Sequence, residues 1–209
     1  MAMGMTLVNL VLATACLAVA LWLRPWRMLV GPLLSPVLAV LAVLPVVWWL
    51  PQRMPSGLAI QLSFACLLVL MFGWPLAVPV LVGVGVIVWV VGDLPWPLVL
   101  TQLVWVGLVP ATLALCMGAL LRRYLPANPF VYTLGRAFLG TAVCVFVAGV
   151  LQWLLMAFDP VDASRPGLVA RWLMAWGDAF ITGMAAAVFV AFKPEWLATW
   201  SDQRYLPKP

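Results

Sequence analysis

One acid, Asp178, stands inside the apolar run Ala-Trp-Gly-Asp-Ala-Phe-Ile-Thr-Gly-Met near the carboxyl end of this 209-residue chain. At the centre of a membrane-spanning helix an acidic side chain costs about 2.5–3.5 kcal/mol on insertion scales, so it persists where it has a partner or a task. Thr182 lies one helical turn further along the same face and adds a hydroxyl that donates and accepts. Three glutamines, Gln61, Gln102 and Gln152, interrupt separate apolar runs. At about 1.5 Å of rise per residue, all three fall within roughly two turns of one membrane face, and Asp178 about ten residues below it. Together these side chains are candidates to line an outward-open pocket for a small polar or cationic solute, with Asp178 and Thr182 at its floor. The same residues have a structural reading, in which the glutamines are interhelical hydrogen-bond glue worth about 0.6–2 kcal/mol each and Asp178 is neutral or hydrogen-bonded.

Other chemistry is sparse. Histidine is absent, which removes the commonest transition-metal ligand and the usual general base at neutral pH. Cys16, Cys66, Cys116 and Cys144 lie in apolar runs without a C-x-x-C pair, so they read as packing residues rather than a disulfide framework or zinc site. Met1, Met3 and Met5 offer thioethers of the kind that suits Cu(I), while repeated Met at an amino end also reflects an ambiguous start. No G-x-x-x-x-G-K-S/T motif supplies a P-loop, and no Ser/His or Cys/His pair can exist. Catalysis, a bound cofactor and nucleic-acid binding are therefore not expected.

Packing signals are stronger. Ala175, Ala179, Gly183, Ala187 and Ala191 form a ladder of small residues at four-residue spacing beside the Asp178 face. Such ladders let another helix approach closely, because association within lipid depends on packing rather than on water exclusion. The partner is either a neighbour in the bundle or a separate membrane subunit, and Gly135 and Gly140 invite the same two readings. Arg136 falls about one and a half turns above the inner end of its span and is expected to snorkel toward headgroups, roughly 10 Å in depth from Asp178.

The elements that must position these groups follow from composition. Apolar residues make up 67% of the chain and charged ones 8%, against roughly a quarter charged in soluble domains, so the chain reads as one polytopic, all-α membrane domain over residues 1–209. Breaks at Pro, Gly and charges predict about seven helices, over 5–23, 29–50, 57–72, 75–91, 97–121, 131–157 and 168–192. The third and fourth are separated only by Gly73-Trp74-Pro75 and are either a tight hairpin or one broken element, so six spans are also possible. No Lys or Arg precedes Arg24, so the first run reads as a retained helix rather than a secretory signal. With the amino terminus outside, inner segments carry Arg24, Arg27, Arg122, Arg123, Lys193, Arg204 and Lys208, and outer ones Arg53, Arg165 and Arg171. That excess follows the positive-inside rule and gives a cytoplasmic tail. Residues 193–209 read as an interfacial tail, with Pro194 opening a short helix and Trp196 and Trp200 resting on the headgroup boundary.

Three stretches resemble a known family: LMFGWPLAVP at 70–79, RRYLPANPFVYTLGRAFLG at 122–140 and GDAFITGMAAAVFVAFKPEWLATWSDQRYL at 177–206. They look like the CbiM-like integral membrane proteins assigned as energy-coupling-factor (ECF) ABC transporter permeases, with Asn128 and Asp178 marking the matched motifs. The resemblance implies a substrate-capture bundle of six or seven helices in the bacterial cytoplasmic membrane. It also implies as partners a transmembrane coupling subunit and two cytoplasmic ATPases. The cobalt and nickel members bind metal through the amino-terminal nitrogen and histidines of Met-His-Ile-Pro-Asp-Gly. This chain begins Met-Ala-Met-Gly-Met and has no histidine, so that metal site is not carried over. The expected function is capture of a transition-metal ion or small nutrient. The alternative is a membrane scaffold or assembly factor for a respiratory or metal-containing complex.

Overall fold

The computed structural model describes residues 2–29, 31–53, 61–156 and 167–205, which contain helices and connections and no strand. Seven helices organise it. They are α1 (Ala2–Trp22), α2 (Leu34–Arg53), α3 (Ala65–Phe72), α4 (Trp74–Gly92), α5 (Trp96–Tyr124), α6 (Val131–Leu139 continuing into Gly140–Met156) and α7 (Leu168–Phe192). All but α3 are long and apolar enough to cross a membrane. Long apolar runs take this form because a helix satisfies its own backbone where no water can. The outer surface is itself apolar: Val91 is 78% exposed and Phe192 77%. Such a surface is matched to lipid tails rather than water.

Side-chain contacts sort the helix ends into two groups. At one end Trp49 Nε1 donates to Gly92 O at 3.2 Å, and Asn9 Nδ2 donates to Thr101 Oγ1 at 3.1 Å. At the other, Met28 lies against Gly73, Tyr132 meets Thr199, and Ala198 donates to Met71 O. This second, basic end also carries Arg24, Arg27, Arg122, Arg123 and Lys193. α2 finishes at the first end and α3 at the basic end, so the chain passes from one end of the bundle to the other between Arg53 and Phe72.

That third crossing differs from the helix predicted over 57–72. Residues 57–60 lie outside the described residues; residues 61–64 are non-helical, and α3 begins only at Ala65. At about 1.5 Å per residue its eight residues reach only some 12 Å, less than half the hydrocarbon thickness. All eight are buried, so the element is a half-helix enclosed by protein. Gly73, at φ 71°, separates it from α4, which resolves the Gly-Trp-Pro hinge as a tight corner between two helices. A left-handed φ is open to glycine without a Cβ penalty.

Two spans contain π segments, Leu103–Leu108 in α5 and Val131–Leu139 in α6. Sequence accounts for the first. Pro110 has no N–H to give Val106 O four residues back, and Val109 N–H reaches the fifth residue back, Val104 O. One carbonyl is thereby freed toward the bundle interior. The second closes where Gly140 N–H reaches Gly135 O.

The small-residue ladder divides. Ala175 and Ala179 are fully buried, Gly183 lies against Phe138, and Ala187 and Ala191 are exposed. On a helix of 3.6 residues per turn each four-residue step rotates about 40°, so a ladder of five swings roughly 160° from core to lipid. Ala186, fully buried, continues the inward face instead.

Candidate functional site

Asp178 occupies the break in the third crossing. Its side chain points inward from α7, and the residue is 1% exposed. Oδ2 accepts the backbone N–H of Ser63 at 2.8 Å, and Oδ1 that of Phe64 at 3.1 Å. Two consecutive amides converge on one carboxylate, the geometry by which backbone nests hold anions. Phe64 adopts a left-handed φ of 56° to allow this, a conformation that costs a non-glycine residue about 1–2 kcal/mol. Ser63 ties the turn down from the other side: its Oγ donates to Val106 O, the carbonyl freed by Pro110, and accepts from Ala65 N–H at 3.2 Å. Leu62 lies against Gly177, so α7 approaches closely beside its acid.

Asp178 thus caps α3 from another helix. The first amides of a helix have no partner of their own and carry partial positive charge, so a carboxylate there satisfies donors and complements the dipole. Charge-assisted bonds of this kind contribute about 1.5–3 kcal/mol each. Two of them match or exceed the insertion cost of about 2.5–3.5 kcal/mol. The acid's retention is therefore explained by its own backbone partners.

The carboxyl end of α3 is held just as specifically. Its free carbonyls are met by the tail: Ala198 N–H donates to Met71 O at 2.8 Å, while Thr199 supplies its N–H at 3.3 Å and its hydroxyl at 2.8 Å to Leu70 O. The predicted interfacial helix is accordingly replaced by a single 3-10 turn, Pro194–Trp196, and a tail that folds back onto the bundle. Trp200 does not rest at a lipid boundary. It is 8% exposed, stacks on Tyr205 at 4.7 Å and meets the edge of Tyr132 at 4.9 Å. Aromatic burial outweighs a surface position here because Tyr132, itself buried, offers a ring and a hydroxyl that bonds Thr199 Oγ1 at 2.8 Å.

Thr182 is fully buried beside Asp178 on α7. Gln102 Nε2 donates to Trp48 O at 3.0 Å, and Gln152 Oε1 accepts from Arg171 at 2.9 Å. Gln61 is half-buried at the start of the break. Gln61 Nε2, Gln102 Oε1 and Thr182 Oγ1 are buried and have no hydrogen-bond partner among the described residues. Each is a polar atom that a small solute can satisfy. Asn128 is exposed at the basic end, where its Oδ1 caps Phe130 N–H at 3.0 Å at the start of α6. Gly140 lies against Met117 on α5, and Gly135 contributes the carbonyl beneath it.

Arg136 does not snorkel outward. Its guanidinium turns in against Gly118 of α5, where an added Cβ would sit 2.7 Å from Nη2, and lies 5.8 Å from the Tyr132 ring centre. Ring and glycine ledge supply a pocket that a depth estimate along one helix does not reveal.

Two contributors escaped the sequence reading. Ser63 has no marker beyond being a hydroxyl in an apolar run, and Asn9, fully buried, ties α1 to α5 by donating to Thr101 and accepting Trp105 Nε1 at 3.1 Å. A lone Asn in the run Val-Asn-Leu-Val-Leu was the available signal for the latter. Ser63→Ala is expected to lower stability by about 1–2 kcal/mol, since it strands Val106 O and Ala65 N–H. Thermal unfolding followed with a thiol-reactive dye checks it, because Cys66 and Cys144 are buried free thiols that unfolding exposes.

The bundle and its lipid-matched surface define a multi-pass integral membrane protein. No protein-family model matches the chain, and neither the curated proteins nor the solved structures give a match.

Proposed function

We propose that the chain is the substrate-capture or permease component of an energy-coupling-factor type uptake transporter, taking up a transition-metal ion or small nutrient. The observation that carries this reading is the broken third crossing, whose half-helix is held at mid-depth by Asp178 and at the basic end by the tail. Secondary transporters place discontinuous helices at their substrate sites, because irregular backbone is tolerated at membrane depth only when enclosed or lining a cavity. The unpaired polar atoms of Gln61, Gln102 and Thr182 supply ligand-directed groups in the same bundle. The likeness to CbiM-like permeases adds the partners: a coupling subunit and cytoplasmic ATPases.

In this reading the basic end faces the cytoplasm by the positive-inside rule, in a bacterial inner membrane, and the amino terminus lies outside. A partner that engages the tail at 193–205 pulls on Leu70 and Met71 and so on the Ser63–Phe64 turn. Asp178 then exchanges its backbone partners for solute, or regains them as solute leaves. With no histidine, a captured metal would be held by carboxylate, amide and hydroxyl oxygens, which suit harder cations than Cu(I).

A second reading is favoured by the energies at Asp178. Its two backbone bonds suffice to keep it, so the clasp also suits a membrane scaffold or assembly factor for a respiratory or metal-containing complex. Two experiments separate these readings. Binding of divalent metals, Cu(I) and small vitamins to purified protein is compared between wild type and Asp178→Asn; a ligand held by wild type and lost in the variant supports capture, and unchanged affinity for every ligand found removes Asp178 from the site. Mild-detergent affinity purification then recovers a coupling subunit and ATPases for the transporter, or a redox enzyme without ATPases for the scaffold.

A further inference from the structure

We infer that Arg136 forms an anion site at the basic end of the bundle, built for a phosphate group. Its Nε and Nη1 are shut off from solvent and, among the described residues, have no hydrogen-bond partner. Among the described residues no carboxylate pairs with it, and the acids of this end are engaged elsewhere. Glu195 Oε1 lies 3.4 Å from Lys193 Nζ, and Asp202 Oδ1 accepts Trp200 Nε1 at 2.6 Å. Arg136 is half-buried, and a guanidinium drawn partly out of water without a counter-ion is unfavourable. The site therefore calls for an anion that none of the described residues supplies.

The surroundings define which anion fits. Arg136 lines a cavity of about 70 Å³ with Gly118, Arg122, Tyr132 and Tyr205. This volume is far below the roughly 300 Å³ of the smallest drug-sized pockets and admits a phosphate group but not a nucleotide. Arg122, exposed in the last turn of α5, brings a second cation to the rim. Gly118 is what lets the guanidinium lie flat against α5, since any side chain there would occupy its place. A planar fork of N–H donors beside a second arginine is the chemistry that recognises phosphate oxygens, often in pairs. The cavity lies at the basic end of the bundle, between α5, the first turns of α6 and the tail. A phospholipid headgroup and free inorganic phosphate are the two sources of that chemistry. An occupant at this point joins α5 and α6 to Tyr205 of the tail, and so adds a third fastening to the tail that holds α3.

The test uses the full-length protein, delipidated in a zwitterionic detergent. Thermal unfolding is measured in inorganic phosphate, and in nanodiscs of phosphatidylcholine with or without phosphatidylglycerol, for wild type, Arg136→Gln and Arg122→Gln. The expected result is a rise in unfolding temperature of wild type with the anion and at least a tenfold weaker response in Arg136→Gln. Arg122→Gln is expected to respond a few-fold more weakly. A rise with inorganic phosphate alone assigns free phosphate, and a rise only with phosphatidylglycerol assigns the lipid headgroup. No rise in wild type, or a full rise in Arg136→Gln, overturns the site. Should Arg136→Gln not fold, the exposed Arg122→Gln decides: a response equal to wild type overturns the inference.

Discussion

Asp178→Ala is expected to lower the stability of the folded bundle by about 3–6 kcal/mol, from two charge-assisted bonds at about 1.5–3 kcal/mol each. The substitution leaves the amides of Ser63 and Phe64 facing apolar surroundings at the amino end of α3. The cost of holding an acid in the membrane does not offset this loss. Unfolding of a helical membrane protein leaves the spans inserted, so both states carry that cost. Asp178→Asn keeps one oxygen acceptor and turns an amide NH2 toward the second backbone N–H, so its loss is expected to fall between wild type and Asp178→Ala. Thermal unfolding read by labelling of buried Cys66 and Cys144 measures both variants. Equal unfolding temperatures for wild type and Asp178→Ala would show that the clasp contributes nothing.

Tyr132→Ala is expected to release the tail. The ring is 1% exposed, meets Trp200 at 4.9 Å and Tyr205 at 5.3 Å, and its hydroxyl bonds Thr199. Truncating a buried aromatic of this kind costs about 3–5 kcal/mol. The loss falls on the tail, because the partners Thr199, Trp200 and Tyr205 all belong to it. Tryptic cleavage after Arg204 reports the result, since Lys193 and Lys208 are each followed by Pro and are poor sites. Cleavage is expected to speed up by at least tenfold, the factor that about 1.4 kcal/mol of local opening supplies. Tyr132→Phe keeps the ring contacts and loses one hydroxyl bond, about 0.5–1.5 kcal/mol, so its cleavage should rise only a few-fold. Equal cleavage in wild type and Tyr132→Ala would mean that the tail is held by other contacts.

Hydropathy and breakers located the long spans to within a few residues, as in Trp74–Gly92 and Leu168–Phe192, because an apolar run of that length has no alternative to a helix in lipid. They missed the start of α3. Gln-Leu-Ser-Phe contains neither Gly nor Pro, and the left-handed Phe64 is an exception imposed by tertiary partners rather than a preference of its sequence. Asp178 was legible as an acid in need of a partner, whereas the partner was not. Backbone amides carry no side-chain signature, whereas Thr182 and the glutamines are visible in the sequence as polar groups. The inward turn of Arg136 depends on Gly118, eighteen positions away, and on the Tyr132 ring. Pro110 could be read as a helix irregularity, but that its freed carbonyl at Val106 meets Ser63 requires the fold.

Amide hydrogen exchange across residues 61–72, in wild type and Asp178→Ala, most directly tests whether Asp178 holds the broken crossing. In wild type the Ser63 and Phe64 amides are expected to exchange as slowly as those within α3, because both are bonded to a buried carboxylate. In Asp178→Ala they are expected to exchange about 100-fold faster, the factor that corresponds to roughly 3 kcal/mol of lost bonding. The amides of α4 and α5 should change much less. Rapid exchange at Ser63 and Phe64 in wild type, or no difference between the two proteins, would contradict a crossing held together by this acid.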